Sequence, residues 1–219
     1  MVDYLALPAL SSGCCHTLLT QSLAHARWQQ QHPRDGTTAM DLGTVAHQIL
    51  LEGHEDGLIV VDATDWRTKA AQAARVLARD VGHTAILLDD LTRIRTMVGV
   101  ARNFLAMSEL DGVFQRGQPE QTLLWQEGQV WCKARPDWLT DEPRTVVHFK
   151  TTSRSANPER FCAYMIDMGY DLAVAFYARA VTRIFGIEPS RVLSVFLVQE
   201  TEAPYACSLV GLAPSLMEI

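Results

Sequence analysis

The feature that most constrains the fold is an acid at a strand end followed, at hairpin distance, by a lysine on another strand. Pro136-Asp137 follows one strand-forming run, and the next run contains His148-Phe149-Lys150, 11 residues from Asp137 to His148. That distance allows one turn and a return strand. Because successive strand side chains point to opposite faces, His148 and Lys150 share a face. The pattern predicts that a carboxylate and an ammonium group meet beside a hairpin.

These residue types suit the hydrolysis of a phosphodiester. That reaction needs an activated water and neutralisation of the charge that builds on the phosphate, and a divalent cation supplies both. Mg²⁺ prefers carboxylates, carbonyls and water in octahedral geometry. Asp137 can supply the carboxylate and the main-chain carbonyl of Phe149 a further ligand. Lys150 can orient the attacking water or stabilise the developing charge. We therefore predict a metal-assisted hydrolytic site.

Length and charge limit the alternatives. A chain of 219 residues with 48% apolar content can bury one sizeable core, and no low-complexity linker divides it, so we expect one domain over residues 1–219. No apolar run approaches the roughly 20 residues that cross a bilayer. The five cysteines, of which Cys14 and Cys15 are adjacent and the others scattered, form neither a disulfide framework nor a zinc spacing, which favours the cytoplasm. A net charge of −6 argues against a broad basic surface, so a nucleic acid would need a local groove or a channel built by several subunits.

Hydrophobic periodicity predicts helices on both sides of a central group of strands. We expect helices over residues 41–51, 65–79, 90–107, 158–168 and 170–185, with Thr64 or Asp65 capping the second. We expect strands over residues 122–126, 130–135, 145–150, 192–199 and 205–210, with the first three forming a β-meander. This order predicts an α/β (α+β) fold in which a central mixed β-sheet is flanked by helices.

Several segments, taken in order, resemble the PD-(D/E)xK exonucleases, a family that includes lambda exonuclease, the RecE C-terminal nuclease and the RecB nuclease domain. The resemblance is strongest to the RecE-like branch of phages and prophages. It covers most of the chain, and its segments are Leu42-Gly43-Thr44-Val45-Ala46-His47, Pro119-Glu120-Gln121, Arg135-Pro136-Asp137, Phe149-Lys150-Thr151-Thr152, Tyr170 to Tyr177, and Gln199-Glu200 with Pro204-Tyr205.

The resemblance implies a restriction-endonuclease-like core that digests one strand of duplex DNA from its 5′ end, in recombination or end resection. It implies Mg²⁺ or Mn²⁺ as cofactor and catalysis by Asp137, Glu120 and Lys150. The implied metal ligands are Asp137, Glu120, His148, His47 and the Phe149 carbonyl, and the implied DNA contacts are Thr44, Arg135, Thr151, Thr152, Tyr170 and Tyr177. It also implies a trimeric ring around the DNA and a single-strand annealing protein as partner.

Two positions depart from the family pattern. His148 stands where a second acid is expected, and Ala173 occupies the position of a helix glutamine. A neutral imidazole offers one nitrogen and no negative charge, which lowers the affinity for Mg²⁺, whereas Mn²⁺ tolerates nitrogen better. The missing glutamine removes a group that could contact the phosphate or the water. Together the two changes predict a weakened or silent site.

Each of these residues also has an ordinary structural interpretation. Asp137 can be a turn former, Lys150 an edge charge, His47 a core histidine, and Tyr170 and Tyr177 core aromatics. Three functions therefore stay open: an active exonuclease, a non-catalytic relative that binds DNA ends or a recombination partner, and an unrelated structural or interaction protein. The last of these predicts that Asp137, Lys150 and His47 lie far apart.

Overall fold

The computed structural model describes residues 4–32 and 37–212. It divides the chain into two compact units, one of residues 1–34, 112–200 and 208–219, and one of residues 35–111 and 201–207. The expectation of a single domain stays a prediction. Among the described residues, no helix is long and apolar enough to cross a membrane.

Helices and strands make up most of the described chain. The α-helices are α1 (Ser12–Thr20), α2 (Leu23–Gln31), α3 (Thr38–His47), α4 (Lys69–Asp80), α5 (Leu88–Ala106), α6 (Pro158–Asp167) and α7 (Tyr170–Phe185). The strands are β1 (Leu58–Val61), β2 (Thr84–Leu87), β3 (Gly117–Pro119), β4 (Leu123–Glu127), β5 (Val130–Ala134), β6 (Trp138–Thr140), β7 (Thr145–Thr152), β8 (Leu193–Glu200) and β9 (Cys207–Gly211). A π-helical turn, Gln48–Glu52, follows α3, and 3-10 turns span Val113–Gln115 and Pro189–Arg191.

The main sheet of the larger unit has the strand order β3-β6-β7-β8-β9. The β3/β6 and β6/β7 pairs are antiparallel, and the β7/β8 pair is parallel. Helices α6 and α7 lie between β7 and β8 in the chain and supply the crossover that a parallel pair needs. The predicted class, a mixed sheet flanked by helices, is confirmed.

The core of this unit forms around β7 and β8. Strand β8 is buried from Ser194 to Gln199, and β7 is buried from Val146 to Phe149, as expected for neighbouring strands that are covered on both faces. One cluster joins the sheet to the helices and contains Val146, Phe196 and Val198 from the strands with Phe161, Met165, Val174 and Val181 from α6 and α7. Full burial of each large apolar side chain contributes about 1.5 to 3 kcal/mol.

The predicted meander is wrong, because β4 and β5 form a separate two-stranded sheet. The strand that pairs with β7 is β6, and Asp137 precedes this strand instead of ending the previous one. Pro136 explains the break: it has no N–H to donate to a sheet ladder, so β5 ends at Ala134 and a new strand begins beyond the proline.

In the smaller unit, α3 begins earlier than residue 41, because the Thr37 side chain caps it by accepting the N–H of Met40. After the π-helical turn, Gly53 ends the segment at φ 75°, a left-handed conformation that favours glycine. The parallel pair β1 and β2 was not predicted. Helix α5 agrees with the predicted 90–107 segment. The apolar residues that repeat along it are buried: Leu91, Ile94, Met97, Val98, Ala101 and Leu105.

The predicted cap of α4 at Thr64 or Asp65 is wrong. Thr68 caps this helix by accepting the N–H of Ala71 at 3.2 Å. The Asp65 carboxylate accepts instead from the N–H of Arg67 at 2.7 Å and from its guanidinium. A local turn therefore competes successfully with the helix for the aspartate.

Candidate active site

The candidate site lies at one end of three neighbouring strands of the main sheet. The β6/β7 ladder ends with the pair Trp138 and Val147, so Asp137, just before β6, and His148, on β7, lie directly beyond it. Glu120 directly follows β3 on the other side of β6. Residues that are distant in sequence therefore meet at the end of β6, where the ladder to β7 opens.

Asp137 is the centre of this site. Its Oδ2 accepts the backbone N–H of Phe149 at 2.8 Å and the Lys150 ammonium at 3.0 Å. Both side chains of the ion pair are largely buried, with 13% of Asp137 and 26% of Lys150 exposed. Burial alone would lower the pKa of Lys150, but the charge of Asp137 and its hydrogen bond outweigh that effect, and the pKa is raised. The lysine is therefore held in its charged form.

Glu120 is held beside Asp137 in an uncommon backbone conformation. Its φ is 51°, which places a non-glycine residue in the left-handed region. Its N–H donates to the Asp137 carbonyl at 3.1 Å, a bond that extends the pairing of β3 with β6 by one residue. Its carboxylate accepts from Arg135 Nε at 2.8 Å. Such conformations cost energy and concentrate at functional sites.

The donor set suits a hard divalent cation. Glu120 and Asp137 offer carboxylate oxygens within 4.8 Å of each other. The N–H and C=O of one strand residue point to the same side, so the Phe149 carbonyl points to the side on which its N–H meets Asp137. Two carboxylates and a carbonyl are ligands that Mg²⁺ and similar ions prefer. The residues present therefore fit a metal site.

His148 has different surroundings from the two acids. The residue is 3% exposed, and its ring stacks on Phe196 at 4.7 Å and on Tyr177 at 5.0 Å between centroids. Its interplanar angles to these rings are 27° and 28°. The imidazole is thus the middle layer of an aromatic stack. A role as metal ligand stays a prediction, and the stack favours packing.

Two tyrosines of α7 line the same face of the sheet. The Tyr170 ring lies 5.8 Å from the Lys150 ammonium, and the Tyr177 hydroxyl donates to the Arg135 carbonyl at 3.5 Å. Burial raises the pKa of both phenols. Ala173 lies between them on the helix and is half-buried. The predicted DNA contacts of Tyr170 and Tyr177 stay predictions, because the observed partners are protein groups.

Arg135 is held by two groups, one of which has no signal in the sequence. Besides the Glu120 carboxylate, it contacts the ring of Tyr4, whose centroid lies 4.8 Å from the guanidinium carbon. The same ring lies 4.9 Å from the ammonium of Lys133. Lys133 also donates to the backbone carbonyls of Tyr4, Leu5 and Leu7. The first described residues therefore brace the strand that leads to Asp137, and no motif signals this.

The other predicted residues lie on α3 and at the end of β7. Thr44 is exposed and His47 half-buried on α3 of the smaller unit. Thr151 and Thr152 are half-buried at the end of β7, and the Thr152 hydroxyl accepts the N–H of Arg154 at 3.0 Å. Their roles in binding metal or DNA stay predictions.

The mixed sheet, the paired carboxylates and the lysine on the next strand define the class of fold and site found in PD-(D/E)xK nucleases. A family profile described as a PDDEXK-like domain of unknown function (DUF3799) matches residues 13–219, so the chain belongs to this family. No curated protein matches the chain significantly.

A solved structure supports the same fold. The crystal structure of a protein from Eubacterium rectale, described as a putative exonuclease, has a TM-score of 0.61 to this chain at 9% sequence identity. The similarity covers 96% of this chain and 74% of that chain. PD-(D/E)xK nucleases generally use divalent metals, in agreement with the Glu120 and Asp137 cluster.

Proposed function

We propose that this chain is a metal-dependent deoxyribonuclease that hydrolyses phosphodiester bonds at the ends of duplex DNA. The observation that supports this most directly is the contact of Asp137 Oδ2 with the Lys150 ammonium at 3.0 Å, beside a second carboxylate from Glu120. The alternative interpretation, in which Asp137 only forms a turn and Lys150 only charges a sheet edge, does not predict this contact.

In this proposal Glu120, Asp137 and the Phe149 carbonyl hold Mg²⁺ or Mn²⁺. The bound ion supplies an activated water and neutralises charge on the phosphate. The Lys150 ammonium, kept charged by Asp137, lies where it can orient that water and balance the phosphate. Arg135 is available to the DNA only if it leaves Glu120, which binding of a cation by that carboxylate would favour.

The finer assignments rest on the sequence resemblance. These are RecE-like exonuclease action with digestion from the 5′ end, a role in recombination or end resection, a trimeric ring around the DNA, and a single-strand annealing partner. His47 as an additional metal ligand belongs to the same group of proposals. So do DNA contacts from Thr44, Thr151 and Thr152.

A second candidate is a non-catalytic relative that binds DNA ends. The observation that favours it is His148, whose ring is buried between Phe196 and Tyr177 where the family pattern has an acid. A site that loses one carboxylate holds Mg²⁺ less tightly, because the ligand charge falls by one.

One set of assays separates the two candidates. End-labelled linear duplex DNA is incubated with the full chain in Mg²⁺, in Mn²⁺ and in EDTA, and the wild type is compared with His148→Asp and His148→Asn. We expect slow cleavage by the wild type in Mn²⁺ and a gain of about 10-fold or more in Mg²⁺ from His148→Asp, since a carboxylate restores ligand charge. The asparagine variant has the same shape without the charge and should show no gain.

Different outcomes would contradict different parts of the proposal. If no variant cleaves in either metal while all of them retain DNA-end binding, the non-catalytic function is correct. If a covalently closed circular duplex is degraded as fast as the linear one, the protein is an endonuclease. Release of label from one end only would determine the polarity.

A further inference from the structure

Helix α2 carries an exposed aromatic pair that the proposed active site does not use. Trp28 is 59% exposed, and the His32 ring stacks on it with centroids 4.4 Å apart and planes inclined by 12°. His32 Nδ1 lies 2.9 Å from the Trp28 carbonyl, a hydrogen bond that fixes the imidazole over the indole. A large aromatic surface is thus held rigidly in solvent.

An open cavity of about 520 Å³ lies against the same tryptophan. It is lined by Gln21, Ala24, His25, Trp28 and Gln29. Ala24 and His25 precede Trp28 by about one helical turn, whereas His32 follows it by one turn. Ala24 and His25 of the cavity lining and the His32 imidazole thus lie on opposite sides of Trp28 along the helix. Because the His32 ring covers one face of the indole, a planar group that stacks on the other face becomes the third layer of the stack.

The polar groups around the cavity are also fixed in place. The Thr17 hydroxyl donates to Gln29 Oε1 at 3.1 Å, so the amide nitrogen of Gln29 points away from Thr17. His25 Nδ1 lies 2.7 Å from the Ser22 hydroxyl, which holds that ring at the start of α2. An indole face with oriented amide and imidazole groups can hold both the face and the edge of a heteroaromatic ring.

The charge of this segment differs from that of the whole chain. Residues 4–32 contain no aspartate or glutamate, although the chain has 25 acidic residues and a net charge of −6. Arg27 lies on the same helix next to Trp28. A polyanion can therefore approach α2 without meeting a carboxylate of this segment.

We propose that Trp28, backed by His32, is a stacking subsite for an unpaired base of single-stranded nucleic acid. The base is the class of ligand that combines a flat heteroaromatic ring with an anionic backbone, and stacking on exposed aromatic side chains is how proteins bind single strands without reading their sequence. A base inside a duplex is excluded, because its neighbours cover both of its faces, whereas an unpaired base can offer a whole face to the indole. The proposal rests on the proposed function and deepens it, since removal of one strand from a duplex end leaves the other strand unpaired.

The test measures binding without cleavage. The full chain is titrated into a fluorescein-labelled 12-nucleotide oligo-dT in EDTA at low salt, and fluorescence anisotropy gives the Kd. We expect Trp28→Ala to raise the Kd about 5-fold to 30-fold, in the range measured when one stacking aromatic is removed. Trp28→Phe keeps an aromatic face and should stay within about 3-fold of the wild type.

Two matched controls isolate the stacking contribution. Trp131→Ala removes a tryptophan of similar exposure, 49%, from β5 and should leave the Kd unchanged. A 12-unit abasic oligomer has the same phosphates without bases. The wild type should bind it as weakly as Trp28→Ala binds oligo-dT, and Trp28→Ala should bind the two probes equally.

Equal loss of affinity in Trp28→Ala and Trp131→Ala, or wild-type affinity in Trp28→Ala, would overturn the proposal. If circular dichroism shows that Trp28→Ala does not fold, the wild type and Trp28→Phe are compared on oligo-dT and on the abasic oligomer. Equal affinity of these two proteins for the two oligomers would overturn the stacking subsite. EDTA prevents cleavage, so binding is measured separately from catalysis. Binding of oligo-dT through Trp28 without any DNA cleavage in Mg²⁺ or Mn²⁺ would contradict only the nuclease proposal. DNA cleavage together with an unchanged Kd in Trp28→Ala would contradict only the stacking subsite.

Discussion

Two acidic residues near opposite faces of α7 show how differently one protein can use a carboxylate. Glu127, at the end of β4, accepts from both guanidiniums of Arg179 and Arg183 at 2.7 to 3.2 Å and from the Trp125 indole N–H at 3.1 Å. Asp137 accepts the Phe149 amide and the Lys150 ammonium on a single oxygen. Both acids have cationic neighbours, and Glu127 has both of its oxygens in guanidinium bonds.

The spacing along α7 explains the two environments. Arg179 and Arg183 are four residues apart and share one helix face, whereas Tyr170 and Tyr177 are seven apart and share another that faces the candidate site. Glu127 therefore anchors the β4–β5 hairpin to the outer face of α7. Asp137 lies next to Glu120, an arrangement suited to sharing a cation. The geometry around the oxygens, and not the count of basic neighbours, therefore separates a structural acid from a candidate metal ligand.

The largest expected effect is the loss of cleavage when Asp137 is neutralised. In the His148→Asp background, Asp137→Asn should lower the rate of DNA degradation at least about 100-fold, because it removes a ligand and the partner of Lys150. Glu127→Gln in the same background should change the rate less than about 3-fold. Single-turnover digestion of labelled duplex measures both. Similar losses of cleavage rate in the two variants would show that Asp137 and Glu127 do not differ in their role.

Replacing the stacked histidine should have the next largest effect, and it should depend on metal. His148→Asp places a charge inside an aromatic stack, which should lower the free energy of unfolding by about 1 to 3 kcal/mol in EDTA. Mn²⁺ or Mg²⁺ should recover much of that loss, since a bound cation pairs with the buried carboxylate. Urea unfolding with and without metal tests this.

His148→Asn is the control for that experiment, because it is neutral and close in shape to aspartate. It should lose stability without any recovery in metal. If the two variants respond equally to metal, the side chain at position 148 does not contact the bound cation.

Glu127 should contribute to stability in a pH-dependent way. Its hydrogen bonds with Arg179, helped by Arg183 and Trp125, lower its pKa from 4.5 to about 2. A depressed acid pKa stabilises the fold above the unfolded-state value of 4.5 and loses that contribution as the pH falls toward 2. Glu127→Gln should therefore cost about 1 to 2 kcal/mol at pH 7, a figure reduced for the half-exposed arginines.

The difference between Glu127→Gln and the wild type should shrink between pH 4.5 and about 2, where Glu127 becomes protonated. Urea unfolding at several pH values measures it. Glu202→Gln is the control, because Glu202 is 74% exposed and pairs with Arg93 at 3.3 Å, so its loss should cost less than about 0.5 kcal/mol. A constant difference across this pH range would contradict the anchoring role.

The smallest effect is expected on the other face of α7. Tyr177→Phe removes a hydroxyl that bonds the Arg135 carbonyl at a long 3.5 Å and also bonds the Ser12 side chain, while the stacking of the ring on His148 remains. We expect a loss of about 0.5 kcal/mol in stability and less than a 2-fold change in DNA affinity, measured by urea unfolding and by anisotropy. A large loss of affinity with unchanged stability would instead support Tyr177 as a DNA contact.

The parts of the fold that were predictable are those with a strong local signal. Helices α5, α6 and α7 follow their apolar periodicity, and α7 ends at Gly186 as expected. The strands β4, β5, β7 and β8 follow short runs rich in apolar, aromatic and β-branched residues. The three-residue strands β3 and β6 were missed, because a span that short carries almost no periodicity. The α4 cap was misplaced, because Thr64, Asp65 and Thr68 are all chemically able to cap.

The site was predictable in composition but not in environment. Asp137, Glu120 and Lys150 were named from their order in the chain, and the structure places them together. The left-handed conformation of Glu120, the aromatic stack around His148 and the bracing of Arg135 by Tyr4 were not predictable. Each depends on a contact between segments far apart in sequence. Trp28 was missed for a different reason: exposure cannot be read from a lone tryptophan.

By itself, the sequence determined the class of fold and the identity of the acids and the lysine, because residue chemistry and local periodicity are written along the chain. Only the tertiary structure decided which of these groups meet. The register of β3, β6 and β7 sets the contact of Asp137 with Lys150, and the packing of α7 on the sheet sets the ring stack around His148. Register and packing are collective properties of distant segments, so a one-residue shift would change every neighbour while the sequence stayed the same.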